Sequence, residues 1–148
     1  MRVCLQRVSR ASVRIEDQVC GQIAAGMVVL LGVSTEDPEA DIDWMAQKIL
    51  NLRFFSDDAC QMNRSVLDTG GEILIISQFT LFGDCQKGRR PSFVGAAPPE
   101  KAEVYYEIFI ERMRAAGVTV ASGKFRADMQ VELINDGPVT LWLDSQRS

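Results

Sequence analysis

Histidine is missing from all 148 residues. Its absence removes the Ser-His-Asp and Cys-His nucleophile systems and the usual histidine-containing zinc sites, because the imidazole that shuttles a proton or binds the metal is not there. A hydrolase made from this chain has to use other groups, and neither a metal nor a cofactor is expected. Positive charge is in deficit: 16 Lys and Arg against 20 Asp and Glu leave a net charge of −4. That balance argues against general adhesion to nucleic acid, so any RNA contact has to come from a local basic patch. Cysteine is sparse. Cys4, Cys20, Cys60 and Cys85 lie far apart without C-x-x-C spacing, mostly in apolar or strand-like surroundings, and read as reduced structural residues. No apolar run is long enough for a signal peptide or a membrane span, although Arg2, Arg7 and Arg10 crowd the start of the chain. A cytoplasmic protein with no membrane attachment fits best. Nor is there a repeat, a linker or a low-complexity segment. With 47% apolar and 24% charged residues, one domain over residues 1–148 with one core is expected.

The elements that are present follow a sheet-and-helix plan. Residues 1–8 read as a short strand, and residues 12–16 pair with 19–23 across an Asp17-Gln18 turn, giving an N-terminal β-meander. Residues 27–33 are apolar throughout and too short for a typical buried helix, which suits a central strand covered on both faces. Asp37 is placed to cap a helix with Pro38 at its first position; Ile42, Met45, Ala46, Ile49 and Leu50 follow at helical spacing, with Trp44 beside them as core or interface. A turn at 68–71 leads into a second buried strand over 72–76, which runs directly into Ser77-Gln78-Phe79-Thr80. The loop over 83–99 holds Lys87, Arg89 and Arg90, which read either as a solvated turn or as contacts for the phosphates of an RNA end. Pro99 opens a second helix with Ala102, Tyr105, Tyr106, Phe109, Ile110 and Met113 on one face and Gly117 at its end, and 118–122 form a short strand. The expected fold class is a single mixed α/β domain, with layered β-sheets or a β-roll and two main helices packed on one side.

Near the end of the chain, alternating residues at 129–134 and 139–143 read as strands joined by the corner Asn135-Asp136-Gly137-Pro138. Gly137 lets another group approach the backbone, while Pro138 removes a donor, fixes φ and makes a cis peptide accessible. On composition alone this is a hairpin turn. Together with Ser77-Gln78-Phe79-Thr80-Leu81, however, it resembles the two motifs of the D-aminoacyl-tRNA deacylases, SQ-F-T-L and N-x-G-P-V-T. The resemblance extends over nearly the whole chain, through Leu5-Gln6-Arg7-Val8, Arg10-Ala11-Ser12-Val13, Arg90-Pro91-Ser92-Phe93 and Ala127-Asp128-Met129-Gln130-Val131.

What the resemblance implies is specific. Such an enzyme hydrolyses the ester that links a D-amino acid, or mischarged glycine, to the terminal adenosine of tRNA. It is a homodimer whose Gly137-Pro138 corner reaches into the partner's pocket and selects chirality, with a cis peptide at the corner and Arg7 supporting it. Phe125 and Met129 match the positions that hold the adenine; Arg126 stands where the family more often has a small residue. Catalysis would rest on main-chain atoms around Ser77, Gln78, Phe79 and Thr80 and on the RNA 2′-hydroxyl. The residues agree in kind, since an activated ester needs only a positioned water and N–H donors for the oxyanion. Thr80 is the available nucleophile, but a threonine hydroxyl is weak without a base, and none is visible nearby. A positioning role suits it better. Two alternatives stay open: a non-catalytic module that binds an RNA end or a D-amino acid, and a hydrolase with Thr80 as nucleophile.

Overall fold

The computed structural model describes residues 1–146. Its longest strands, β1 (Arg2–Ile15) and β8 (Gln130–Asp144), run antiparallel along nearly their whole length. The other edge of β1 is shared: residues 2–8 pair with β3 (Gly26–Gly32) and residues 11–15 with β2 (Gln18–Ile23). β3 then pairs in parallel with β6 (Glu72–Ser77), and β6 in parallel with β7 (Val120–Ser122). The sheet curls until β2 nears β7, where a Cβ on Gly21 would lie 2.8 Å from the Ser122 carbonyl oxygen. This is the expected mixed α/β architecture with a rolled sheet.

Alternation along the central strands divides the core. Val3, Leu5, Met27, Val29, Leu31, Ile73 and Ile75 face α1 (Ala40–Asn51) and α3 (Pro99–Ala115), meeting Ile42, Met45, Ile49, Phe109 and Met113. Val8, Val13, Ile23, Val28, Leu74 and Ile76 point inside the roll. The continuous apolar runs at 27–33 and 73–76 belong to strands buried on both faces, as their composition requires. Trp44 packs against the helix-side cluster.

Several details differ from the sequence-based expectation. The two N-terminal strands are one bent strand, and β3 returns to β1 instead of β2, so a hairpin replaces the meander. The hairpin turn falls on Glu16 and Asp17, both at positive φ (48° and 65°), one residue earlier than Asp17-Gln18. That pairing of positive φ values matches the right-handed twist of the flanking strands. Asp37 does not cap α1. The helix begins beyond Glu39 without a side-chain cap, because the Asp37 carboxylate is engaged by the Met1 ammonium at 2.6 Å and by the Ser34 N–H at 2.7 Å. Of the free thiols only Cys4 is partly buried; Cys20, Cys60 and Cys85 are exposed, although the Cys20 thiol still donates to the Val13 carbonyl at 3.4 Å. The structure adds a small sheet of β4 (Phe55–Ser56) and β5 (Met62–Arg64), and a short α2 (Val66–Thr69) held by a Ser65–Asp68 capping box.

The corner at 135–138 is the largest departure. It is no hairpin, since the segments before and after it both pair with β1 and run in the same direction. The register steps from Gln6 opposite Thr140 to Val8 opposite Asn135, so residues 136–139 are extruded opposite Arg7 as a bulge within one strand.

Candidate active site

β6 ends at Ser77, opposite Leu31 of β3, and the Gln78 N–H closes the ladder on the Leu31 carbonyl at 2.7 Å. The chain then turns into a 3₁₀ segment, Phe79–Phe82, preceded by Gln78 at φ −142°, ψ 77°. The first N–H groups of such a turn have no acceptor within it. Leu81 N–H reaches Gln78 O and Gly83 N–H reaches Thr80 O, which leaves Phe79 and Thr80 N–H without a hydrogen-bond acceptor among the described residues. A strand end that turns into donors of this kind is where an anionic oxygen can be held.

Beside these donors lies a cavity of about 640 Å³ lined by Ser77, Gln78, Phe79, Phe93, Phe125, Arg126 and Met129, over a floor that includes Leu31, Val33, Ile76 and Ala102. Phe79, 54% exposed, stands edge-on to Phe93 with ring centroids 5.1 Å apart. Phe125 lies against Tyr106 at 6.1 Å, and the Tyr106 hydroxyl donates to the Ile75 carbonyl at 2.9 Å. Burial pushes the Tyr106 phenol up to about 12, so it remains a neutral donor that pins the wall behind Phe125. Met129 lies over Gly123, where a Cβ would come within 2.5 Å of the Met129 sulfur. The site is thus apolar and aromatic on its walls and polar at one end, the usual character of a small-molecule pocket.

Thr80 is exposed and does not line the cavity. Its hydroxyl oxygen accepts a hydrogen bond from the Gln78 side-chain amide, a donor that cannot remove a proton. Lys87, Arg89 and Arg90 sit exposed at the tip of a loop pinned by the Asp84–Ser92 bridge, and none of them lines the cavity. Arg126 lines it in a left-handed conformation, φ 63°.

Gly137 and Pro138 are exposed, joined by a cis peptide bond, and absent from the cavity wall of their own chain. Arg7 braces them. Its Nε donates to the Asp136 carbonyl at 3.2 Å and lies 3.4 Å from the Asp136 carboxylate, while an Nη donates to Phe54 O at 3.2 Å. A Cβ on Gly137 would meet that guanidinium at 2.9 Å, and φ of 126° favours glycine in any case. The structure therefore gathers Ser77, Gln78, Phe79, Phe125 and Met129 at one cavity and groups Arg7, Gly137 and Pro138 outside it. Sequence reasoning placed Phe93 and Asn135 within the matching stretches and Tyr106 on a helix face, and gave none of them a role at the site. Phe93 sits in a loop without periodicity, and Tyr106 reads as ordinary helix-face core.

The family model described as D-Tyr-tRNA(Tyr) deacylase matches residues 4–144. Curated relatives named D-aminoacyl-tRNA deacylase include one from Desulfitobacterium hafniense (strain DSM 10664 / DCB-2), 55% identical over 100% of this chain and 99% of the relative. Another, from Clostridioides difficile (strain 630), is 53% identical over the same shares. Among solved structures, one titled c-Myc DNA Unwinding Element Binding Protein superposes with a TM-score of 0.93 at 43% identity, covering 99% of this chain and 100% of that one. A second, titled as a structural analysis of a probable eukaryotic D-amino acid tRNA deacylase, has a TM-score of 0.86 at 18% identity over 96% and 97% of the two chains, a likeness of fold.

Proposed function

The chain belongs to the D-Tyr-tRNA(Tyr) deacylase family, and we propose that it hydrolyses the ester of D-aminoacyl-tRNA, and of glycine mischarged on tRNA, through main-chain donors and the substrate's own ribose. The observation that carries this reading is the end of β6, where the free N–H groups of Phe79, on the wall of an aromatic cavity, and of Thr80, the next residue, follow the strand in a chain without histidine. The terminal adenine lies between Phe125 and Met129, an aromatic face and a polarisable thioether that suit a base. The ester carbonyl turns toward the Phe79 and Thr80 amides, which hold the negative charge that develops on its oxygen when water attacks. The terminal 2′-hydroxyl assists the proton transfers. Free amino acid and tRNA leave.

The selecting element comes from a second subunit. Gly137 and Pro138 project from their own fold, braced by Arg7, and stand outside their own cavity. In a homodimer this corner enters the partner's cavity, where its carbonyls crowd the position of an L side chain and leave a D side chain free; glycine, having no side chain, is accepted. Lys87, Arg89 and Arg90 meet phosphates nearer the body of the tRNA. Free thiols on the surface suit the reducing cytoplasm, where tRNA is charged.

Release of free amino acid from D- and L-aminoacyl-tRNA by the purified protein tests the proposal. Rapid release from the D form alone is expected. Binding of the D form without release would return the chain to a binding module, and equal cleavage of both forms would remove the corner from selection.

A further inference from the structure

The extruded bulge raises a question of backbone hydrogen bonding. Between the pairs Gln6–Thr140 and Val8–Asn135, the single residue Arg7 faces residues 136–139, so the ladder is interrupted at the neck of the corner. Interrupted strands leave carbonyls that need donors. Here both are served by one side chain: Asn135 Nδ2 donates to Arg7 O at 2.9 Å and to Val139 O at 3.0 Å. The carbonyls belong to opposite sides of the neck, one on β1 and one where β8 resumes. The partly buried amide therefore ties the exit of the corner to its entry and to the neighbouring strand.

We propose that Asn135 is a positioning residue for substrate selection: its amide closes the neck of the 136–139 bulge and, with the Arg7 guanidinium on Asp136, holds Gly137 and Pro138 at a fixed projection. The chemistry needed is narrow. Two donors must leave one nitrogen at the length of a single methylene, which asparagine supplies; aspartate offers only acceptors when ionised, serine a single donor, and glutamine a longer arm. This proposal rests on the reading that the corner selects the amino acid's chirality.

Asn135→Asp changes shape least and chemistry most, because it sets a carboxylate against two carbonyl oxygens. The ratio of D- to L-aminoacyl-tRNA cleavage is expected to fall about tenfold or more, chiefly through faster cleavage of the L form. It is expected to recover in part as the pH is lowered and the new carboxyl gains a proton to donate, a profile that plain loss of stability does not produce. Asn135→Ser, with one donor, should fall between this variant and the wild type. Sedimentation and thermal unfolding of each variant establish that the compared proteins are folded and equally assembled. Should neither variant fold, the wild type still decides: the Asn135 side-chain amide protons, followed by NMR, are expected to exchange slowly with solvent, and free exchange overturns the clamp. Folded variants that discriminate as well as the wild type overturn the role of Asn135 alone, whereas a wild type that cleaves D and L esters alike overturns the selecting corner and this proposal with it.

Discussion

At the scale of single residues, partners decide roles that residue type leaves open. Thr80 carries a hydroxyl within the motif, yet its neighbour is the Gln78 amide, which donates to it. Thr80→Ala is expected to keep activity within about tenfold, while a tRNA ending in 2′-deoxyadenosine should bind comparably and turn over at least about 10²-fold more slowly. Single-turnover hydrolysis measures both, and a dead Thr80→Ala enzyme that sits beside rapid cleavage of the deoxy substrate would restore the threonine as nucleophile. Asp37 is a different case. Its carboxylate and the Met1 ammonium are both 0% exposed. Asp37→Asn leaves that ammonium with the Asp41 carboxylate 3.8 Å away as its remaining counter-charge, so it should cost about 3 kcal/mol, read as a lower urea midpoint. Tyr106 has a pH signature. Its phenol is raised from 10.0 to about 12 by burial, so its contribution is intact below pH 10, where the unfolded phenol is also neutral, and is lost as the pH rises toward 12. Tyr106→Phe should flatten that alkaline loss.

At the scale of elements, the parallel pairing of β3 and β6 sets where the motif emerges, and a glycine permits it. A Cβ on Gly26 would lie 1.8 Å from the Glu72 carbonyl oxygen, backbone that cannot give way. Gly26→Ala is therefore expected to destabilise by at least about 3 kcal/mol or to prevent folding, as chemical unfolding would show. Gly123 contrasts with it. There the obstacle is mainly the Met129 sulfur, the far part of a flexible side chain, at 2.5 Å. Gly123→Ala should leave the melting temperature nearly unchanged while it moves Met129 in the cavity, and the expected sign is a higher KM for D-aminoacyl-tRNA.

At the scale of the whole molecule, apolar surface is unevenly placed. β8 exposes Val131, Ile134, Leu141 and Trp142 at 37–51% of their area, and Phe79 on the cavity wall and Val94 in the following loop stand open as well. With the corner outside its own cavity, they support a symmetric dimer as the working form. Sedimentation should give twice the chain mass of 16.4 kDa, and a fully active monomer would contradict it.

Local patterns in the chain were enough to determine the mixed α/β class, the buried strands at 27–33 and 72–76, the second helix opening at Pro99, and the motif at the end of β6. Each of these depends on periodicity or on residue chemistry within a few neighbours. The lack of histidine likewise excluded whole classes of mechanism before any fold was known. Only the tertiary structure decided that residues 1–15 make one strand, that Asp37 serves the Met1 ammonium instead of a helix end, and that Asn135-Asp136-Gly137-Pro138 is a bulge. The same dipeptide chemistry suits a hairpin or an extrusion, and what separates them is whether the flanking segments pair with each other or with a third strand more than a hundred residues away. Local preference cannot encode that choice; burial of Val8 and Val13 inside the roll and the register of β8 on β1 make it, and Arg7 and Asn135 acquire their contacts only once it is made.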